Sequence, residues 1–177
     1  MAIGAESGTR YAVAPSDSWL AFEGRSTLHR VGGKATSLGG YVEANFSADG
    51  ALSTQPAPQI HVEFPVEQLR SGNGLQDREM WKMIDSKRFP RVAADLRELR
   101  PTPAPGRYAA TGDVTLAGRS RGYEGTLTLA KSGDRLTIEG QLDLDIRDFG
   151  LKPPALLLIK VDPVVKLNLH LEATRSA

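Results

Sequence analysis

The segment Arg135-Leu136-Thr137-Ile138-Glu139-Gly140-Gln141-Leu142-Asp143-Leu144-Asp145-Ile146 alternates apolar and polar side chains over its whole length. Leu136, Ile138, Leu142, Leu144 and Ile146 share one face, while Thr137, Glu139, Gln141, Asp143 and Asp145 share the other. Successive side chains of an extended chain point to opposite sides, so this pattern predicts one long strand with a dry face and a wet one.

The same period of two spreads outward from there. Val165, Leu167, Leu169 and Leu171 alternate with Lys166, Asn168, His170 and Glu172, and further sets run through Tyr108, Ala110, Val114 and Leu116 and through Tyr123, Leu127 and Leu129. Earlier in the chain the apolar sets are Ile60, Val62 and Phe64, then Val42, Ala44 and Phe46, then Leu20 and Phe22, with Tyr11 and Val13 and a weaker stretch from Val92 to Leu99. That makes about eight or nine strands. Turn residues stand between them at Asp49-Gly50, Ala117-Gly118 and Ser132-Gly133-Asp134, and such short links predict an antiparallel meander, because parallel strands need long crossovers. The exception is Gln76 to Asp85, where Met80, Trp81, Met83 and Ile84 read as one short amphipathic helix.

Strands with one apolar face must bury it against a second sheet or by closing into a barrel. Gly112, Gly125 and Gly140 stand in phase with the apolar side chains, as do Ala44, Ala94 and Ala110. A tightly packed sandwich wants bulk at such positions, whereas small inward residues leave space or let strands coil sharply. About eight strands closed into a barrel enclose room for one small ligand. Two interiors fit the pattern: a channel, or a filled core in which the glycines are only coiling points.

Composition narrows the field. The 177 residues carry 22 basic and 21 acidic side chains, a net charge of +1, where a nucleic-acid binder normally presents a strongly basic face. Leu, Ile, Val and Phe make up 42 residues, above the roughly 20% below which a chain reads as disordered, and the length fits one domain. With no cysteine, disulfides, thiolate zinc sites and cysteine nucleophiles are excluded. The longest apolar run, Ala155-Leu156-Leu157-Leu158-Ile159, is far short of the roughly 20 residues of a membrane-spanning helix, so the chain is not expected to be integral to a membrane. Met1 to Arg10 has neither the basic nor the apolar region of a secretory signal. The protein is therefore expected in the cytoplasm if Met1 is its native start, and in the periplasm or outside the cell if a leader has been removed.

Several segments carry a family resemblance. Leu69-Arg70-Ser71-Gly72, then Asp77, Met80 and Ile84-Asp85, then Lys87-Arg88-Phe89-Pro90 resemble the central region of the YceI-like proteins. Gly112-Asp113-Val114-Thr115-Leu116-Ala117-Gly118-Arg119-Ser120-Arg121 is similar to their glycine-bounded strand and turn, and Ile146-Arg147-Asp148-Phe149-Gly150 to their late Arg-Asp-Phe-Gly element. The final strand from Asp162 to Ala173 ends as theirs does, and Ser18-Trp19-Leu20-Ala21-Phe22 is a weaker match, so the resemblance runs from about Arg10 to Ala173. It implies an all-β fold, an extended eight-stranded antiparallel barrel of lipocalin-like type with one short helix between strands. Residues 10–174 would form that single lipid-binding domain behind a flexible N-terminus, 1–9. It further implies a channel for a polyisoprenoid, an isoprenoid quinone or a fatty-acid-like amphiphile, bound without catalysis by a carrier, reservoir or sensor. The chain departs from the family at Ala94, where an aromatic residue is common, and in the apolar stretch Lys152 to Val161. That stretch would line the channel mouth, complete the core, or form a homodimer contact through Pro153 to Ile159.

A lipid site needs apolar lining more than reactive groups, since each methylene removed from water contributes roughly 0.8 kcal/mol. The candidate lining is Phe22, Val42 and Phe46 from the early strands, Ile60, Val62 and Phe64 from the next, and Tyr108, Val114, Leu116, Leu127 and Leu129 from the central hairpin. Leu136, Ile138, Leu142, Leu144, Leu167 and Leu169 complete it, with Met80 and Trp81 on the helix as a lid. Arg147 and Asp148 form the best polar pair, either holding the connection to the last strand or meeting a ligand head. Arg119 and Arg121 flank a turn, solvated or facing an anionic headgroup.

Signals for catalysis are thin. His29, His61 and His170 are too dispersed for metal spacing. Gly32-Gly33-Lys34-Ala35 resembles a phosphate loop only superficially, with Leu28 where the first glycine belongs and Ala35 where Ser or Thr is required. The Gly-x-Ser-x-Gly hydrolase elbow is absent. Asn45-Phe46-Ser47 fits a glycosylation acceptor but falls inside a strand candidate. No catalytic residue, metal ligand or cofactor beyond a bound lipid is expected. The alternatives are a lipid-modifying enzyme and a ligand-free dimeric interaction module.

Overall fold

The alternating segments pair as their pattern demands. The computed structural model describes residues 8–26, 30–152 and 161–176. Its longest pairing joins β9 (Arg135–Asp145) to β10 (Val164–Arg175), antiparallel, with Leu136 opposite Ala173, Ile138 opposite Leu171 and Leu142 opposite Leu167. Before β9 come β7 (Arg107–Leu116) and β8 (Arg119–Ser132), joined through Ala117 and Gly118 at φ 51° and 74°. Positive φ at both central residues gives the turn a twist that matches the flanking strands. Gly133, at φ 59°, opens the equally short turn between β8 and β9.

The first two strands share one place in the sheet. β1 (Thr9–Val13) and β2 (Trp19–Arg25) lie end to end along β10, which pairs with Tyr11 to Val13 near its C-terminus and with Trp19 to Glu23 further back. A 3-10 turn, Pro15–Asp17, interrupts them. The break is repaired by Ser18, 2% exposed, whose Oγ accepts the Glu172 N–H at 3.1 Å, and by the Ala14 N–H, which donates to the Glu172 carbonyl at 2.7 Å. β3 (Arg30–Thr36) and β4 (Gly39–Ala44) follow the same plan along β2 and β1, broken at Ser37 with φ 60°. With β5 (Gln59–Pro65) and β6 (Arg91–Pro101) the ten strands form eight staves, and the β1–β10 pairing closes them into an antiparallel barrel. The sequence-based expectation of an eight-stranded barrel is the fold observed.

β3 is the strand that periodicity missed, because Gly32 and Gly33 remove its apolar signal. A Cβ on Gly33 would lie 2.2 Å from the Arg70 carbonyl oxygen and 2.7 Å from the Phe22 ring. The glycine lets the segment after β5 come close enough for Lys34 and Arg70 to exchange both backbone hydrogen bonds, at 2.9 and 3.0 Å. That segment leads into α1 (Gly74–Ile84), which starts two residues before the sequence-based boundary because the Asn73 side chain accepts the N–H groups of Leu75 and Gln76. Asp77, 4% exposed, accepts from the Ser71 backbone and hydroxyl, both at 2.7 Å, and the Trp81 Nε1–H donates to the Leu69 carbonyl at 2.9 Å. The helix is thereby fixed to the wall segment rather than hung from a free loop.

Antiparallel order sorts the connections between the two ends of the barrel. Both described chain ends, loops 45–58 and 102–106 and the Gly133 turn lie at one, here the terminal end. Helix α1, the Ala117-Gly118 turn and the turn after β9 lie at the other, the helical end.

Candidate lipid site

Register assigns every inward position of the barrel. Along β9 and β10 the inward side chains of the terminal half, Leu136, Ile138, Leu171 and Ala173, are all fully buried at 0% exposure, as is Val42 on β4. Tyr11 joins them at 2% and makes an edge-on contact with Phe46. Further along the same strands packing loosens. Leu142, Leu167 and Leu169 point inward yet are only partly buried, as are Leu20 and Phe22, which lie opposite Leu169 and Leu167 on β2. Ala94, Leu96 and Gly112 are likewise part-exposed across the lumen wall. The inward side chains are thus fully buried at the terminal end and only partly buried, though apolar, in the middle.

The inward glycines do not all act alike. A Cβ on Gly112 would fall 2.5 Å from the Asp95 carbonyl oxygen, and one on Gly125 2.5 Å from that of Gln141. Both glycines therefore serve close strand approach, the first beside the bulge between Leu96 and Glu98. At Gly140 the nearest atom is the Leu169 Cβ at 3.5 Å, an ordinary contact, so this glycine leaves space beside the part-exposed leucines.

The candidate lining separates into three groups. Ile60, Val62, Phe64, Val114, Leu116, Leu127 and Leu144 are buried with the plug residues Val42, Leu136 and Ile138. Phe22, Leu142, Leu167 and Leu169 border the loose middle, together with Leu20, a strand residue outside the expected lining. Phe46, Tyr108 and Leu129 instead line a cleft of about 390 Å³ at the terminal end, with Leu52, Arg107 and Lys131. The buried Leu127, Leu136 and Ile138 lie between this cleft and the middle of the barrel. Met80 and Trp81 on α1 are partly buried against the core.

At the helical end the polar groups pair differently from the sequence-based expectation. Arg147 does not pair with Asp148 but with Asp145, at 2.7 Å, because the Asp145 carboxylate already accepts the Arg147 N–H at 2.9 Å and caps the turn Ile146–Phe149. That bonding lowers the Asp145 pKa and raises that of Arg147. Asp148 accepts the Tyr123 hydroxyl at 2.5 Å, and the Tyr123 ring stacks on the buried Phe149. Burial first, and then the bond to Asp148, push the Tyr123 pKa up to about 12, so its hydroxyl stays protonated. Arg121 is exposed but not merely solvated, since its Nε–H donates to the Asp148 carbonyl at 3.0 Å.

The remaining polar clusters sit outside the barrel. His61 bonds Asp95 at 2.7 Å and stacks on Tyr41, while His170 bonds Glu139 at 2.5 Å and stacks on Trp19. Among the described residues, no group of three or more His, Asp or Glu side chains could hold a metal ion. No described helix is long and apolar enough to cross a membrane. His29 and the stretch Pro153 to Ile159, expected as a dimer contact, lie outside the described residues.

Comparison with known proteins agrees with this architecture. The fold is similar to that of Burkholderia cenocepacia BcnA, with a TM-score of 0.75 at 17% identity over 92% of this chain and 99% of that one. A polyisoprenoid binding domain from Saccharophagus degradans, implicated in plant cell wall breakdown, gives 0.72 at 13% identity over 94% and 98%. The Campylobacter jejuni YceI protein gives 0.60 at 15% over 77% and 81%. At these identities the likeness is one of fold. A sequence comparison with curated proteins finds no match. The YceI-like domain matches residues 11–173, from β1 to the last buried residue of β10, and the chain belongs to the YceI-like family.

Proposed function

We propose that the protein binds one long-chain apolar lipid, of the polyisoprenoid, isoprenoid quinone or fatty-acid-like class, in the middle of the barrel, without catalysis, as a carrier, reservoir or sensor. The observation that carries this reading is the contrast along β9 and β10. Leu136, Ile138 and Leu171 are 0% exposed, whereas Leu142, Leu167 and Leu169, on the same inward face, are only partly covered. A barrel that only needed a core would fill its middle as tightly as its end. The polyisoprenoid binding named for the Saccharophagus domain supports the same ligand class.

The lining we assign is Leu20, Phe22, Ala94, Leu142, Leu167 and Leu169, together with the buried Val114 opposite Ala94, and with Gly140 giving room. At about 0.8 kcal/mol per methylene, each five-carbon unit removed from water contributes about 4 kcal/mol gross, against several kcal/mol lost in ordering the chain and its translation. A few units therefore suffice without polar contacts, which suits walls that bring no set of reactive groups together.

Native mass spectrometry of detergent-free protein from its native host, followed by organic extraction, tests the reading, and a long-chain lipid is the expected yield. Repeated preparations without such a lipid, together with a middle found filled by side chains, would sink it. Leu142→Trp and Val114→Trp should abolish uptake in a folded barrel. Unchanged lipid content in either variant would overturn these lining assignments.

A further inference from the structure

The helical end carries a group of cations that the lumen does not use. Gly118, at the tip of the β7–β8 turn, presses on Phe89, so close that a Cβ there would lie 2.5 Å from the ring. The Arg88 guanidinium stands over the same ring, 5.3 Å from the Phe89 centroid. This joins Lys87 and Arg88 to Arg119 and Arg121, and the guanidinium of Arg119 rests about 3 Å from where a Gly150 side chain would begin. All four are exposed, and among the described residues none of them has a carboxylate partner. The acidic groups at this end are Asp145, occupied by Arg147, with Asp148 and Asp162 beside it, and Glu67, Glu79 and Asp85 on the helical segment. At the terminal end Arg10, Arg100, Arg135 and Arg175 each stand in an ion pair, whereas Arg107 and Lys131 have no carboxylate partner among the described residues. Leu75, 65% exposed on α1, adds an apolar contact at the helical end.

We infer that the helical end of the barrel docks on an anionic lipid bilayer through Lys87, Arg88, Arg119 and Arg121. A bilayer is favoured over a soluble polyanion because the cations share their end of the barrel with an exposed leucine. The docking holds whatever fills the lumen, and lipid content is measured separately on the same protein.

The test is co-sedimentation of the full chain with phosphatidylcholine vesicles with and without phosphatidylglycerol, alongside retention on heparin. Binding is expected only to the anionic vesicles and should fall as salt screens the charges. Near such a surface each cation contributes roughly fivefold in affinity, so Arg119→Gln/Arg121→Gln and Lys87→Gln/Arg88→Gln should each weaken binding about thirtyfold. Arg107→Gln/Lys131→Gln, at the opposite end, should leave it unchanged, and melting curves verify that each variant is folded. Equal binding to neutral vesicles, an equal loss in the Arg107/Lys131 variant, or retention on heparin without vesicle binding would each overturn the inference.

Discussion

A single methyl group placed on Gly112 or on Gly140 separates the two roles that inward glycines play in this barrel. Both occupy inward positions and look equivalent by sequence period. At Gly112 the added carbon would meet the Asp95 carbonyl oxygen at 2.5 Å, the Asp95 carbonyl carbon at 3.3 Å and the Leu96 Cα at 3.4 Å. These are backbone atoms of the paired strand and cannot rotate away, so β6 and β7 must separate. Overpacking of this kind costs about 1–3 kcal/mol. At Gly140 the new carbon meets Leu169 at 3.5 and 3.7 Å, within normal contact. Restricting the unfolded chain then favours the folded state by about 0.4–1 kcal/mol. Gly112→Ala and Gly140→Ala should therefore differ by roughly 1.4–4 kcal/mol, read in urea titrations as midpoints shifted in opposite directions at constant slope. In a domain of this size the melting temperatures would separate by about 3–16 °C. If Gly112→Ala is as stable as the parent, or Gly140→Ala loses more than about 1 kcal/mol, the division into coiling points and space is wrong.

Further outcomes follow from individual contacts. Ala117 sits at φ 51° in a turn that favours Asn before Gly118, so Ala117→Asn should raise stability by about 0.5–1 kcal/mol in the same titration. Leu136→Ala, at 0% exposure in the plug, should cost about 2–5 kcal/mol, whereas Leu167→Ala, in the loose middle, should cost clearly less; equal losses would contradict an unfilled interior. Asp77→Ala strips the Ser71 N–H and hydroxyl of their acceptor and should cost about 1–3 kcal/mol, with earlier loss of helical signal on heating. For His61, burial lowers the pKa, but the bonds to Asp95 at 2.7 Å and Glu63 at 3.4 Å outweigh it and leave the value raised. The stability it contributes is full below its unfolded-state value near 6.5 and is lost as pH rises through the higher folded value, so His61→Gln should flatten stability across that window.

How far the sequence reveals this molecule depends on whether a feature is encoded locally. β9 and β10 are legible because each carries its own alternation, and the Ala117-Gly118 turn because its backbone geometry favours glycine at its second position. β3 is not legible, because what makes Gly33 a strand residue is the Arg70 carbonyl 37 positions later. Nor could the pattern foresee two staves each broken in the middle, at Pro15–Asp17 and at Ser37, the first repaired by Ser18 and Glu172 across the sheet. The Arg147–Asp148 expectation failed for a related reason. Adjacency in sequence suggested a pair, but the turn directs Arg147 back to Asp145 and gives Asp148 to Tyr123. For the proposed lining, period two indicates which strand side chains share the inward face. Depth along the barrel, which divides plug from middle and from terminal cleft, depends on strand stagger and is not written in any one strand.

That division by depth also accounts for how a barrel without disulfides could hold an unfilled middle. Fully burying a side chain of the size of Leu136, Ile138, Leu171 or Val42 contributes about 1.5–3 kcal/mol, and these sit where β1, β4, β9 and β10 meet and the sheet closes. A second buried set, Val66, Ile84 and Phe149, packs at the helical end. Between the two the wall is held by backbone ladders and by the Arg70 and α1 insertion, neither of which requires the lumen to be packed. An apolar guest in the middle would then supply contacts that the side chains there leave unmade, and its release would loosen the middle without opening the seam. Full burial at the seam and partial burial beside it are thus two consequences of one arrangement: large branched residues where the staves converge, and Gly140, Ala94 and part-covered leucines where they do not.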